Sequence, residues 1–438
     1  MKDFFYGLAE EIQVLLQPGE RFLAYLEAED SDFVRFNHNR VRQAGQVHQI
    51  ELTLDLIEGQ RHSGASCHLS GDLSHDLAFI RDLLLTLREQ RRLLPEDPHL
   101  LYATEVISTE DIQENALPDS SDTVRDIIGA ADGLDLVGFL ASGTLYRGFA
   151  NSLGQRNWYQ RANFNFDWSC YLHSDKAVKS AYAGVEWCPN TLQRKMDEAR
   201  QQIALLGKTP TTIEPGRYRV YVAPAALKEI FWLLSWDSFG LKSHRTRQTA
   251  FLKMIEAGRM LHPSITLMEN NRQGIAPLFT DSGFIKPERV RLIDRGAYGD
   301  CLVGPRSGRE YQQPVNCGDE SPQSLELMGG TLPSAEVLHC LDTGVYINNL
   351  WYLNFSDRNN ACITGMTRYA SFWVEGGRPV APLNVMRFDE SLYTMLGDKL
   401  LGLTQEREFM FDPDTYGRRS VNSQHLPGAL VQDFSFTL

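Results

Sequence analysis

The stretch Ala226 to Phe239, ALKEIFWLLSWDSF, sets one carboxylate, Glu229, among the large aromatics Phe231, Trp232 and Trp236. A lone carboxylate with no imidazole beside it makes no metal site. No His lies between His173 and His244, so no shift of register supplies one. Aromatic residues at i, i+1 and i+5 surround much of a helix, which fits a helix buried in a core or in a subunit interface. Other groups invite chemistry. His339-Cys340 offers a thiol and a base, but on a strand adjacent residues point to opposite faces. A hydrolase site relocated to Cys340 or Cys362 is the third functional reading, and thiol alkylation would test it. His62, Cys67 and His68 have metal-ligand character in a segment that reads as a turn. Lys242, His244, Arg245 and Arg247 form a basic group in a loop, read as solvated or as a holder of a peptide carboxylate or acidic partner. His425 reads as a surface residue near the tail. Asn348, Asn349, Trp351 and Tyr352, followed by Phe355, read either as sheet core or as the lining of an extended-peptide groove.

The elements that position these groups fall into three segments, 1–95, 100–209 and 213–438. In the first, a helix over 3–16 leads to a strand over Arg21 to Glu27. Phe33 to Phe36 and Val41 to Gln46 read as a hairpin, and His48 to Leu56 as a further strand. Asp76 to Leu94 has the apolar spacing of a helix, and Leu94-Pro95-Glu96-Asp97-Pro98 breaks it. In the second, Ser108 to Asp111 reads as the start of a short helix and Thr123 to Ala131 as another. Leu134 to Ser142 and Gly143 to Ala150 read as a strand hairpin, followed by a long aromatic strand over Trp158 to Tyr171. A helix over Thr191 to Leu206 ends at Gly207. The two Pro and three Thr between Lys208 and Pro215 mark the clearest boundary. After residue 265 short apolar runs alternate with turn residues, so the third segment is mostly strand. Its Glu375-Gly376-Gly377-Arg378 has the chemistry of a tight hairpin turn.

Composition narrows the class. The chain has 438 residues, 42% hydrophobic and 23% charged, which is ample for a core. A formal charge of −13 argues against nonspecific nucleic-acid binding. The first residues, MKDFFYGLAEEIQVLL, carry acidic groups where a signal peptide needs an apolar run. No apolar stretch approaches the ~18 residues of a membrane span. Seven scattered Cys without C-x-x-C spacing fit a reduced, cytoplasmic setting.

The order of pieces adds a family reading. From Gly344 to Leu403 the chain runs strand, polar loop at Asp357 to Asn360, strand, E-G-G-R turn, "PVAPLNVMRF" and a closing helix. This resembles the C-terminal domain of the TldD/PmbA family. Glu214 to Leu227 is similar to that family's P-G-x-Y turn and strand running into a helix. Phe279 to Gly283 resembles its F-D-x-x-G turn, and Val290 to Leu302 its following hairpin. Near the N-terminus Phe36 to Gln43 resembles an opening strand pair, with Asn39 where Gly is usual. Phe149 to Gly154, followed by Trp158 to Tyr171, resembles its N-S-x-G turn and long strand.

The resemblance implies an α+β fold: a mixed N-terminal α/β region and a large, mainly antiparallel β C-terminal domain. In the catalytic members an H-E-x-x-x-H motif on the first helix after the P-G-x-Y strand binds zinc, and a late Cys completes the metal sphere. Here that helix is Ala226 to Phe239, without His, and the tail from Gly397 to Leu438 has no Cys. The chain therefore resembles the metal-free TldE/PmbA branch, with no catalytic, cofactor or metal residue of its own. Glu229, Phe231, Trp232 and Trp236 are expected to fill the former site by packing, with a remodelled pocket as the alternative. The implied function is a non-catalytic subunit pairing with a TldD-type zinc-bearing subunit in a cytoplasmic protease for unfolded or modified peptides, including leader-peptide removal. The alternative is a stand-alone peptide-binding or scaffold protein, perhaps homodimeric. Neither reading involves nucleic acid or membrane.

Overall fold

The structure is a computed structural model and describes residues 1–173 and 176–437. Its first half is one sheet with helices on one side. The elements are α1 (Lys2–Leu15), β1 (Arg21–Asn37), β2 (Arg40–Glu58), β3 (Arg61–Leu69) and α2 (Leu73–Leu93). They are followed by β4 (Thr109–Ile112), α3 (Ser120–Ala130), β5 (Asp135–Asn151), β6 (Arg156–His173), β7 (Lys176–Gly184) and α4 (Pro189–Leu206). The sheet order is β3-β2-β1-β5-β6-β4, and β7 also pairs with β6. Strands from both sides of the Leu94–Pro98 break therefore share one sheet, with β1 antiparallel to β5.

Alternation along these strands divides the work between two faces. On β1, Phe22, Ala24, Leu26 and Ala28 pack with α1 and α2. Farther along, Val34 and Phe36 join Phe164, Phe166 and Trp168 of β6 against α3 and α4. The intervening residues face the C-terminal half. There Arg418 pairs with Glu27, and Arg419 donates to Ser31 and Asn163.

Several local expectations are corrected. The four short strands expected between Arg21 and Leu56 are two long ones, because the polar run Asp30-Ser31-Asp32 is not a break. Ser31 is buried in a polar contact with the C-terminal half. Ser108 to Asp111 contributes to a strand, β4, parallel to β6, instead of starting a helix. His62, Cys67 and His68 lie on β3, not in a turn. The hairpin expected at Ser142-Gly143 does not exist, since β5 runs straight through it. Gly143 is there for closeness: a Cβ at this position would stand 2.1 Å from the Asp30 carbonyl oxygen on β1. Gly143→Ala is expected to destabilise the protein by about 1–3 kcal/mol, the usual range for overpacking. Urea denaturation would measure it, and an unchanged midpoint would refute the close-approach argument.

Two expected hairpin turns are observed. His38 and Asn39 both have positive φ, 52° and 51°, as a two-residue hairpin turn between β1 and β2 requires. Asn tolerates this region, which accounts for its presence where Gly is usual. Its side-chain amide also donates to the carbonyls of Ile128 and Ala131 at the end of α3. Gly376 and Gly377 take φ of 54° and 74° between two later strands in the same way.

The C-terminal half is a second sheet of thirteen strands. It begins with β8 (Gly216–Val222), which leads into helix α5 (Pro224–Ser235). Then come β9 (Leu267–Asn270), β10 (Arg289–Asp294), β11 (Ala297–Tyr298), β12 (Ser324–Leu327), β13 (Gly344–Ile347) and β14 (Asn349–Asp357). The last six are β15 (Cys362–Arg368), β16 (Phe372–Glu375), β17 (Arg378–Pro382), β18 (Arg387–Ser391), β19 (Leu400–Phe411) and β20 (Ser423–Phe436). Its main path is β11-β10-β9-β12-β20-β8-β13-β16-β17, with β14, β15, β18 and β19 attached to one side through β20. The β12–β20 and β8–β13 pairs are parallel and the other pairs antiparallel, so the expected α+β class with a mainly antiparallel C-terminal domain is observed. The closing helix after β18 is a single helical turn, Thr394–Asp398.

Candidate functional site

Helix α5 is placed by the strand before it. Val220 and Val222 of β8 lie in the core, Ala223 turns the chain, and Pro224 starts the helix with its φ already set. Ala226, Leu227, Ile230, Phe231, Leu233 and Leu234 are all buried. Lys228, Trp232 and Trp236 are spaced four apart and so share another face. Phe231 behaves as expected, packed in the core. Trp232 and Trp236 do not: they are 49% and 56% exposed. The expectation that the aromatics fill the former site is thus corrected for two of the three, because the spacing of 232 and 236 turns them away from the sheet.

Those indoles, with rings 4.9 Å apart and nearly perpendicular, border a cleft of about 440 Å³. This volume is in the range of ligand sites, roughly 300–1,000 Å³. Its walls come from distant parts of the chain: Asp167 of β6, Lys179 of β7, Lys228 and Glu229 of α5, and the Asp412–Asp414 loop after β19. Ser423 and Gln424 at the start of β20 close it.

The charges here are close and poorly hydrated. The Lys228 ammonium donates to the Phe411 carbonyl at 2.7 Å. Burial pulls its pKa down, against the opposing pull of Asp167, Glu229 and Asp412. Burial also pushes the Glu229 carboxyl above its ordinary range, opposed by Lys228 and Lys179. The same holds for Asp167, whose partner Lys179 stands 3.8 Å away. Among the described residues, neither carboxylate receives a hydrogen bond that would offset its burial.

Laying the H-E-x-x-x-H motif on Glu229 puts Lys228 and Leu233 at the two His positions. Leu233 is 1% exposed in the core, and a protonated ammonium has no lone pair to give a metal. These residues do not fit a zinc ion.

The pattern of the PmbA/TldA metallopeptidase C-terminal domain matches residues 215–438. The chain belongs to the PmbA/TldD family. Solved structures extend the likeness over the whole fold. TldE from Thermococcus kodakarensis superposes with a TM-score of 0.77 at 13% identity, covering 99% of this chain and 100% of that one. A Thermotoga maritima protein named as a modulator of a DNA gyrase gives 0.77 at 11% identity, over 99% of each chain. A Bacteroides thetaiotaomicron protein of similar name gives 0.73 at 13% identity, over 100% of this chain and 98% of that one. No curated protein sequence matches.

The remaining expected groups are scattered over this family fold. Asn348, Asn349, Trp351 and Tyr352 do not line one groove. The Asn348 amide donates to the Lys179 carbonyl at 3.3 Å, beside a second cavity of about 710 Å³. Asn349 is buried. Trp351 is half-exposed under the Arg368 guanidinium, 4.5 Å from its ring centre. Tyr352 is 75% exposed at an irregularity of β14, where its φ is 59°. That irregularity breaks the alternation that would have put these residues on common faces.

His339 and Cys340 sit on a short helix, Val337–Leu341, not on a strand. Burial pushes the Cys67 thiol up to about 11, so it is a poor nucleophile. The Cys362 thiol is likewise pushed up, first by burial and then by Asp357. His62 faces Asp97 at 3.5 Å, away from Cys67. Lys242, His244 and Arg245 belong to a short helix, Leu241–Arg245, and His244 is tied to the Ser238 carbonyl at 2.8 Å. His425 is half-buried on β20, 3.8 Å from Glu326. Among the described residues no three His, Cys, Asp or Glu form a metal-holding group, and no helix is long and apolar enough to cross a membrane.

Sequence reasoning missed Lys228, Asp167 and Lys179. The signal available was Lys228-Glu229 standing in the His-Glu register of the motif. Nothing local pointed to Asp167 or Lys179, which arrive from another sheet.

Proposed function

We propose that this chain is a non-catalytic, TldE/PmbA-like subunit of a cytoplasmic two-component metallopeptidase, working with a TldD-type subunit that carries the zinc. The observation that carries this reading is the state of α5. It keeps the family's helix, its Glu and an open cleft, while an ammonium and a core Leu stand in place of both imidazoles. Retaining the cleft favours a role in holding substrate, since a purely structural remnant has no need of a cavity walled by under-compensated charge. The substrate class is extended or unfolded peptide, as the family resemblance implies. A homodimeric peptide-binding protein without proteolytic partner would use the same cleft.

Peptidase assays and zinc analysis on the purified chain, alone and mixed with a TldD-type protein, test this. The expected result is no zinc and no cleavage alone, with cleavage in the mixture faster than by the partner by itself. Zinc bound at one per chain, or cleavage by this chain alone, would overturn the reading. Binding of peptide with no effect on the partner would favour the stand-alone alternative.

A further inference from the structure

Resting on that reading, we propose that the α5 cleft holds a cationic side chain, Arg or Lys, of an extended peptide. The argument begins with charge. Four carboxylates, Asp167, Glu229, Asp412 and Asp414, line the cleft against two ammonium groups, Lys179 and Lys228. Lys228 is committed to the Phe411 carbonyl, and Lys179 lies beyond hydrogen-bond reach of Asp167 at 3.8 Å. Carboxyl groups therefore outnumber ammonium groups in a partly dehydrated space, where a cation is held more strongly than in water.

The aromatic mouth points the same way. Trp232 and Trp236, set nearly perpendicular, border the cleft, and an indole face attracts a guanidinium or ammonium. The stem of Arg or Lys is apolar and suits the same surface. A guanidinium brings five donors and no acceptor, which complements a cleft lined by four carboxylates. An anionic side chain would meet the four carboxylates. A neutral apolar one would bury them further without a partner.

The test uses the full-length chain and three blocked hexapeptides that differ at one central residue: Arg, its neutral isostere citrulline, or Glu. Binding is read by calorimetry and by the fluorescence of the cleft indoles. The Arg peptide is expected to bind about tenfold tighter than the citrulline peptide, with the Glu peptide weakest. Glu229→Gln and Asp167→Asn should each shrink the Arg-to-citrulline ratio toward one. Equal affinity for Arg and citrulline, preference for Glu, or no binding of any peptide would overturn the proposal. The wild-type comparison stands even if a variant fails to fold. Failure here is separable from failure of the subunit reading. Cleavage by the mixture without Arg preference removes only this proposal, and Arg-selective binding without cleavage removes only the other.

Discussion

Replacing Arg419 by Ala is expected to lower stability by about 3–5 kcal/mol and to release the loop that walls the cleft. Arg419 is 4% exposed and reaches from the C-terminal half into the N-terminal sheet. One arm donates to the Ser31 hydroxyl and the Gly143 carbonyl, each at 3.3 Å. The other donates to the Asn163 carbonyl at 2.9 Å and to the Asn163 side-chain oxygen. Ser31 in turn donates to the buried Glu29 at 2.7 Å. Removing the guanidinium strands these acceptors and takes one neighbouring positive charge from the buried Glu29. Arg419→Lys restores charge but not the fork, and should fall between. Two measurements check this. Urea denaturation gives the stability change. Limited chymotrypsin digestion reads the loop, because Tyr416 within it is 97% exposed and should be cut faster in the Ala variant. Unchanged digestion with full stability would mean that the loop is held by Arg418, through Glu27 and Glu51, and by the Gln49 amide on the Gly417 carbonyl.

Loss of the Glu20 carboxylate, just before β1, should have an effect of similar size. Glu20 accepts from Arg88 at 3.0 and 2.9 Å and from Arg91 at 3.0 Å, with all three side chains buried. It also accepts from the Gln17 amide at 2.8 Å, so the group joins the end of α1, the start of β1 and the last turns of α2. Glu20→Ala leaves two buried guanidiniums short of their counter-charge, and about 3–5 kcal/mol is the expected loss. Burial pushes the Glu20 carboxyl up, but the hydrogen bonds from Arg88, Gln17 and Arg91 outweigh it and hold its pKa at about 2, against 4.5 ordinarily. A depressed carboxylate stabilises the fold above its ordinary value, and that stabilisation fades as pH falls from about 4.5 toward 2. Glu20→Gln should therefore flatten this part of the stability–pH curve as well as lower it at neutral pH. Denaturation midpoints measured across that range for both proteins would show it. A wild-type curve that does not fall there would refute the assignment.

What could be read without coordinates was whatever depends on residue identity and short-range geometry. Absent imidazoles in Ala226 to Phe239, and an absent late Cys, are statements about identity. Period-2 runs gave the strands, and Gly376-Gly377 gave its hairpin, because a positive φ has few willing residues. The same local logic failed at Gly143. A Gly between two apolar runs looks like a turn from inside β5. Only the backbone of β1, more than a hundred residues away in sequence, shows that it marks a close approach.

The candidate site separates the two sources in the same way. Identity alone determined that this member of the PmbA/TldD family lacks both imidazoles of the zinc motif, since neither an ammonium nor a core Leu can stand in for them. It did not determine whether the vacated helix face would be packed or open. Helical spacing says that Lys228, Trp232 and Trp236 share a face, but not what that face meets. Tertiary structure decided that it meets Asp167 and Lys179 from the other sheet and the Asp412–Asp414 loop pinned by Arg419. Burial and field at a side chain depend on every surface brought against it, and those surfaces here come from stretches far apart in the chain.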